Sequence, residues 1–309
     1  MPARYRYFDP AAAARFGKLG ILARSAVEGM VTGLHKSPHH GFSVEFSEHR
    51  EYVPGDEIRQ LDWRTYARTD RYYIKLCEQE TNLRCHILID RSASMAYAGP
   101  GTAGPASTGG AAAGRAPSKY DFAARIAALL AYLLTRQADS VGLTLFDEEN
   151  QTRLPPGSAP HHLDRLFRML EESQPAKGTS MAGVLHRLAD TIARRSLVVL
   201  ISDLYDDVPT VIRALRHFRA RRHQVILLQP MHPAELDLPF ARITTLVDLE
   251  TGERVQVDPA TIREAYKAEV QGFLDSYRRA CSDAGIEYAM LPSDQPPEQA
   301  LRSFLARRQ

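Results

Sequence analysis

Residues 83–94 read LRCHILIDRSAS. The run 83–90 is apolar without alternation, which predicts a short strand buried on both faces. It ends in Asp90, and Ser92 and Ser94 follow at every second position. In a chain that leaves a strand still extended, positions i, i+2 and i+4 point the same way. One carboxylate and two hydroxyls are therefore expected to converge on one spot.

Strands and helices alternate outward from this stretch. The spacing of Phe122, Ile126, Leu129, Leu130 and Leu133 predicts a helix over 119–137, followed by a strand at 141–146. Helices are expected over 161–173 and 180–194, a strand at 197–202 (LVVLIS), a helix over 208–221 and a strand at 224–229. Beyond Pro230, ITTLVDLETGERVQVD reads as a hairpin turning at Thr251 and Gly252. A long helix over 259–284, a strand at 286–291 and a closing helix near 297–307 complete the chain. Such alternation implies crossovers, hence an α/β fold with a doubly wound, mostly parallel sheet covered on both faces. The segment 98–117 contains no Leu, Ile, Val or Phe and reads as a flexible surface insertion.

The first 81 residues read differently. Asp9 and Pro10 look like a cap and a first-turn proline, and Phe16, Leu19, Ala23, Ala26 and Met30 then recur at helical spacing, so a helix is expected over 10–30. Val44 and Phe46, and then Tyr72, Ile74 and Leu76, alternate with polar neighbours as strands do, around a Pro-Gly-Asp turn at 54–56. The expected division is a helix plus a small β-rich unit over 1–81 and the α/β domain over 82–309.

Composition narrows the function. Thirty-nine Lys and Arg stand against 37 Asp and Glu, a formal charge of +2, which speaks against a dedicated nucleic-acid binder. No run approaches 18 apolar residues, so no membrane span is expected. The N-terminus lacks the apolar core of a signal peptide, and Cys77, Cys85 and Cys281 form no close pair. The expectation is a cytoplasmic protein.

The 197–202 strand ends in Ser202 and Asp203. In a doubly wound sheet the ligand crevice lies beyond the carboxyl ends of the strands, where the winding reverses. If the 83–90 and 197–202 strands are neighbours there, Asp90 and Asp203 come together. Two adjacent carboxylates repel unless one takes a proton or a cation intervenes. Oxygen donors without His or Cys favour Mg²⁺, or Mn²⁺, as that cation. Gly178, Thr179 and Ser180 open the next helix from a loop that could reach the same crevice.

Asp90-x-Ser92-x-Ser94, then Gly178-Thr179, then the strand-terminal Asp203, resembles the metal-ion-dependent adhesion site of von Willebrand factor type A domains over roughly residues 82–292. The resemblance implies that Asp90, Ser92, Ser94, Thr179 and Asp203 hold a divalent ion, directly or through water. It also implies an open coordination position for a partner's Asp or Glu. Leu204 stands where many such domains have Gly. The stretch GFSVEFSEHREYVPGDEIRQLDWRTYAR with the later YYIKLCEQE is similar to the bacterial family called domain of unknown function 58. Members of that family carry this segment ahead of a type A domain and are typically encoded beside MoxR-type AAA+ ATPases. That implies a non-enzymatic, Mg²⁺-dependent adaptor of such an ATPase in chaperone-like assembly.

The alternative function is a Mg²⁺-dependent phosphoryl-transfer hydrolase using Asp90 and Asp203. Its usual second acid would stand at Ser92, and no Gly-rich Lys-Ser/Thr phosphate loop exists in the chain. Asp56, Arg59, Asp62, Trp63 and Arg68 gather charge around the single Trp and form a possible partner-docking surface, weighed against a structural ion-pair cluster. His35, His39 and His40 read as a solvated loop. The arginines from Arg213 to Arg222 read as the basic end of a helix that Asp206 and Asp207 begin.

Overall fold

The computed structural model describes residues 5–14, 44–53, 61–79, 83–100, 117–147, 151–175 and 181–307. The chain forms two compact units, one of Thr32–Asn82 and one that joins Met1–Val31 to Leu83–Gln309. This division differs from the expected break at 81, because the first residues belong to the larger unit. Tyr7 is buried there, its hydroxyl donating to Asp121 Oδ1 at 2.8 Å, and Phe8 stacks on Phe167 at 4.7 Å. An aromatic run of Tyr5, Tyr7 and Phe8 buries too much apolar surface to stay in solvent. Of the helix expected over 10–30, Pro10–Ala14 is described and the rest lies outside the described residues.

In the smaller unit, β1 (Val44–Glu51) pairs antiparallel with β2 (Tyr73–Gln79), with a register shift between Phe46 and Glu48. The helix Trp63–Thr69, which the sequence reading did not separate, starts at Asp62, whose side chain accepts from the Arg64 and Thr65 amides. It stops at Asp70 in the left-handed region, φ 55°.

The larger unit contains β3 (Arg84–Asp90), β4 (Ser140–Phe146), β5 (Gln151–Gly157), β6 (Leu197–Ile201) and β7 (Gln224–Met231). A separate hairpin follows, β8 (Thr244–Val247) with β9 (Arg254–Val257), and then β10 (Glu287–Pro292). The main sheet runs β10-β7-β6-β3-β4-β5. Every neighbouring pair is parallel except β4 with β5. The winding starts at β3, moves out to β5, and then returns to the other side of β3 at β6. The α/β, doubly wound, mostly parallel sheet expected from the sequence is the observed fold, and its reversal lies between β3 and β6.

Each face carries its own core. Ile87 and Ile89 of β3 and Val199 and Ile201 of β6 pack with the helices Lys119–Arg136, Pro160–Glu172 and Pro297–Ala306. Leu88, Val198 and Leu200 pack on the opposite face with Met181–Thr191, Val208–Ala220 and the far end of Pro259–Asp283. Period-2 geometry assigns alternate side chains to opposite faces, and each fully buried Leu or Ile contributes about 1.5–3 kcal/mol.

Strand β5 was not anticipated, because QTRLPPG carries Pro155 and Pro156. It lies at the sheet's edge, where prolines without an N–H are tolerated. Gly142 opposite it has no room for a side chain: a Cβ would stand 2.9 Å from the Pro156 nitrogen.

His86 sits in β3 at 5 % exposure. Burial, and then the positive charges of Arg153, His223 and Arg84, push its pKa from 6.5 down to about 4. Between these values the unfolded chain binds a proton that the folded chain does not. Stability is therefore whole above about pH 6.5 and falls as pH drops towards 4, by up to about 3 kcal/mol. Urea unfolding at pH 7.5 and 4.5 is expected to show this loss, and His86→Leu is expected to make it shallower. An unchanged acid limb in His86→Leu would assign the loss to other groups.

Candidate functional site

The rung Ile89↔Ile201 sets the geometry of the crevice. Both isoleucines face the same core, so Asp90 and Ser202, one residue further on, share the opposite side. Ser202 Oγ donates to Asp90 Oδ2 at 2.6 Å and accepts the Leu204 amide at 3.0 Å. The Ser92 amide donates to Asp90 Oδ1 at 2.8 Å. Asp90, Ser92 and Ser202 are all buried.

The extended course expected through Ser94 ends at Ser92, whose backbone is still extended at φ −54° and ψ 158°. The chain then turns into a single 3₁₀ turn, Ala93–Ala96, with Ser92 at its cap. The hydroxyls still meet, Ser92 Oγ and Ser94 Oγ lying 3.0 Å apart. Convergence of these oxygens thus comes from a tight turn rather than from strand alternation.

Asp203 is buried as well, and the structure brings it together with residues the sequence did not single out. Lys119 opens the Lys119–Arg136 helix, and its Nζ lies 2.8 Å from Asp203 Oδ2 and 2.6 Å from Glu235 Oε1. The ammonium is fully buried, with the Tyr205 ring centroid at 4.9 Å and that of Tyr97 at 5.9 Å. Burial would lower the Lys119 pKa, but the Asp203 and Glu235 charges outweigh it and raise it. Glu235 is fixed in turn, its Oε2 accepting the His232 amide at 2.9 Å. One sequence signal pointed here. A lysine directly after the cap Ser118 opposes the helix dipole and needs a partner elsewhere.

Lys119 thus serves Asp203 and Glu235 and makes no such bond to Asp90. Burial, and then the Asp203 carboxylate, push the Asp90 pKa up to about 7 against the Ser202 and Ser92 hydrogen bonds that favour its charged form. Asp90, Asp203 and Glu235 carry three negative charges against one ammonium when all are ionised, an imbalance that a divalent cation would relieve. Asp90, Ser92 and Ser94 offer hard oxygen donors, a set that suits Mg²⁺. Among the described residues no three His, Cys, Asp or Glu side chains gather as a metal-binding group, so a cation here depends on hydroxyl donors.

Thr179 lies outside the described residues. Two positions later the Met181 amide donates to Asp206 Oδ2 at 3.2 Å, which ties the start of that helix to the loop after Asp203. Leu204, where a Gly was the alternative, holds a left-handed φ of 64° and is fully buried in the second core. A non-glycine residue in that region costs roughly 1–2 kcal/mol, which the buried leucine offsets.

Of the docking residues, Asp56 and Arg59 lie outside the described residues, as do His35, His39 and His40. Asp62 is occupied as the cap of Trp63–Thr69. Trp63 is 58 % exposed and meets Tyr66 edge-on at 6.2 Å, and Arg68 is exposed. In Val208–Ala220, Asp207 caps the first turn by accepting the Thr210 amide, as its sequence suggested. Ala98 and Gly99, at the start of the expected insertion, are buried, and residues 101–116 lie outside the described residues.

A family profile described as "Protein of unknown function DUF58" matches residues 48–272. This chain belongs to the DUF58 family. The DUF58 chain is 25 % identical over 306 residues to Uncharacterized protein Rv1480 of Mycobacterium tuberculosis, covering 97 % of this chain and 90 % of that one. Uncharacterized protein Mb1516 of Mycobacterium bovis gives the same figures. Among solved structures, BatB from Bacteroides thetaiotaomicron matches with a TM-score of 0.46 and 15 % identity, over 73 % of this chain and 98 % of that one. The SpRpn10 VWA domain matches with a TM-score of 0.41 and 10 % identity, over 72 % and 95 %. Among the described residues of the DUF58 chain no helix is long and apolar enough to cross a membrane.

Proposed function

We propose that this chain is a Mg²⁺-dependent protein-interaction module that acts as an adaptor of a MoxR-type AAA+ ATPase in chaperone-like assembly. The observation that carries the metal reading is the buried Asp90 carboxylate beside two converging hydroxyls, with the nearby ammonium committed to Asp203 and Glu235. Asp90, Ser92 and Ser94 would hold the ion, Asp203 would contribute a further carboxylate, and Thr179 would add a hydroxyl. A bound hard cation supplies one open position for a partner's Asp or Glu. Lys119 holds Asp203 in place, Ser202 orients Asp90, and burial keeps competing water away.

A non-enzymatic role accords with the donor set, since Ser92 stands where a phosphoryl-transfer acid would be needed. The ATPase partner rests on the family resemblance.

The test uses a purified MoxR-type ATPase of the same source as bait. Capture of this chain in Mg²⁺ or Mn²⁺, lost in EDTA and lost in Ser92→Ala/Ser94→Ala, is the expected result. Capture that ignores EDTA would remove the metal from the interaction, and no capture in any buffer would remove this partner.

A further inference from the structure

Glu250 was not singled out by sequence, yet it reaches the site. The Ser94 amide donates to Glu250 Oε1 at 2.9 Å across 156 positions of chain. Glu250 sits in the turn between β8 and β9, and that turn is built to aim it. Asp248 Oδ1 accepts the Glu250 amide at 2.7 Å and the Thr251 amide at 3.3 Å. The Gly252 amide closes on the Asp248 carbonyl at 2.8 Å, with Gly252 at φ +78°. Glu250 is half-buried, whereas Leu249, Thr251, Gly252 and Glu253 around it are exposed.

The hairpin that carries it is lightly attached. Its strands have four residues each, and Ile243, Val247 and Val255 are exposed at 64, 39 and 55 %. A two-stranded hairpin is at best marginal by itself, so moving its tip costs little. The tip thus brings a carboxylate to the turn that follows Asp90, with one of its oxygens fixed by the Ser94 amide.

We propose that Glu250 is the acid supplied in cis to this site. It fills the place a partner's Asp or Glu takes, and a partner engages by displacing the β8–β9 tip. The partner is thereby defined chemically as a protein presenting an acidic side chain strong enough to exchange with a tethered one. This inference rests on the adhesion reading of Asp90, Ser92 and Ser94, and its test separates the two.

The full chain is stripped with EDTA, and Mn²⁺ is used as the probe, with solvent-proton relaxation reporting exchangeable water on the ion and acetate as a free carboxylate. Wild type is expected to bind Mn²⁺ about tenfold more tightly than Glu250→Ala, a difference of about 1.4 kcal/mol. Glu250→Ala is expected to gain one exchangeable water and to lose it again to acetate, which leaves wild type unaffected. In EDTA alone, hydrogen exchange at the Ser94 amide is expected to quicken in Glu250→Ala. Glu250→Gln, which keeps the amide's acceptor and drops the charge, is expected to protect Ser94 yet bind Mn²⁺ as weakly as Glu250→Ala. Equal Mn²⁺ affinity, water count and acetate response in wild type and Glu250→Ala would overturn the in-cis role and leave the adhesion site standing. Absence of Mn²⁺ uptake by wild type would remove the adhesion site, and the in-cis role with it.

Discussion

Lys119→Met is expected to cost about 3–5 kcal/mol of folding stability in the presence of EDTA, read as a lower midpoint in guanidinium unfolding. The ammonium is fully buried against two carboxylates, Asp203 and Glu235. Removing one partner of a buried pair strands the other charge in a poorly solvated place, and that penalty exceeds the net value of the intact pair. Set against a typical total of about 5–15 kcal/mol, the loss is large. Methionine matches the lysine stem, so cavity formation contributes little. The double variant Lys119→Met/Asp203→Asn is expected to recover part of the loss, because one of the two stranded charges is then gone while that of Glu235 remains. A loss under about 1 kcal/mol in Lys119→Met, or no recovery in the double variant, would show that the ammonium does not hold this cluster together.

The second large effect concerns Asp90. Wild type is expected to gain about 2.7 kcal/mol of stability when Mg²⁺ is a hundredfold above its dissociation constant, since a ligand of the folded state stabilises by mass action. The thermal midpoint should rise by several degrees. Asp90→Asn is expected to show no such rise. It should also melt no lower than wild type in EDTA, because it removes the charge that repels Asp203 while Asn keeps an oxygen for the Ser92 amide. An identical Mg²⁺ response in both proteins would place the ion elsewhere. No response in wild type would remove the ion altogether.

Much of this fold is legible residue by residue. Continuous apolar runs such as Ile87–Ile89 and Leu197–Ile201 report strands buried on both faces, because burial on two sides erases alternation. Amphipathic spacing locates Lys119–Arg136 and Val208–Ala220 to within a residue or two. Where local pattern and packing conflicted, packing prevailed. Pro155 and Pro156 masked β5, which an edge position permits, and Tyr7 and Phe8 attached the N-terminus to the larger unit through contacts more than a hundred positions away.

By itself, then, the sequence determined the layered α/β architecture, the strand that ends in Asp90 and the oxygen-rich character of the residues beyond it. These follow from hydrophobic period and residue chemistry, which are local quantities. Only the tertiary structure decided that β3 lies beside β6 in the register that sets Ser202 on Asp90. It alone placed Lys119 between Asp203 and Glu235 and brought Glu250 to the Ser94 amide. Those pairings join residues 84 to 156 positions apart. Such distances carry no periodic signal, and the energy that fixes the partners arises only when folding removes water from between them.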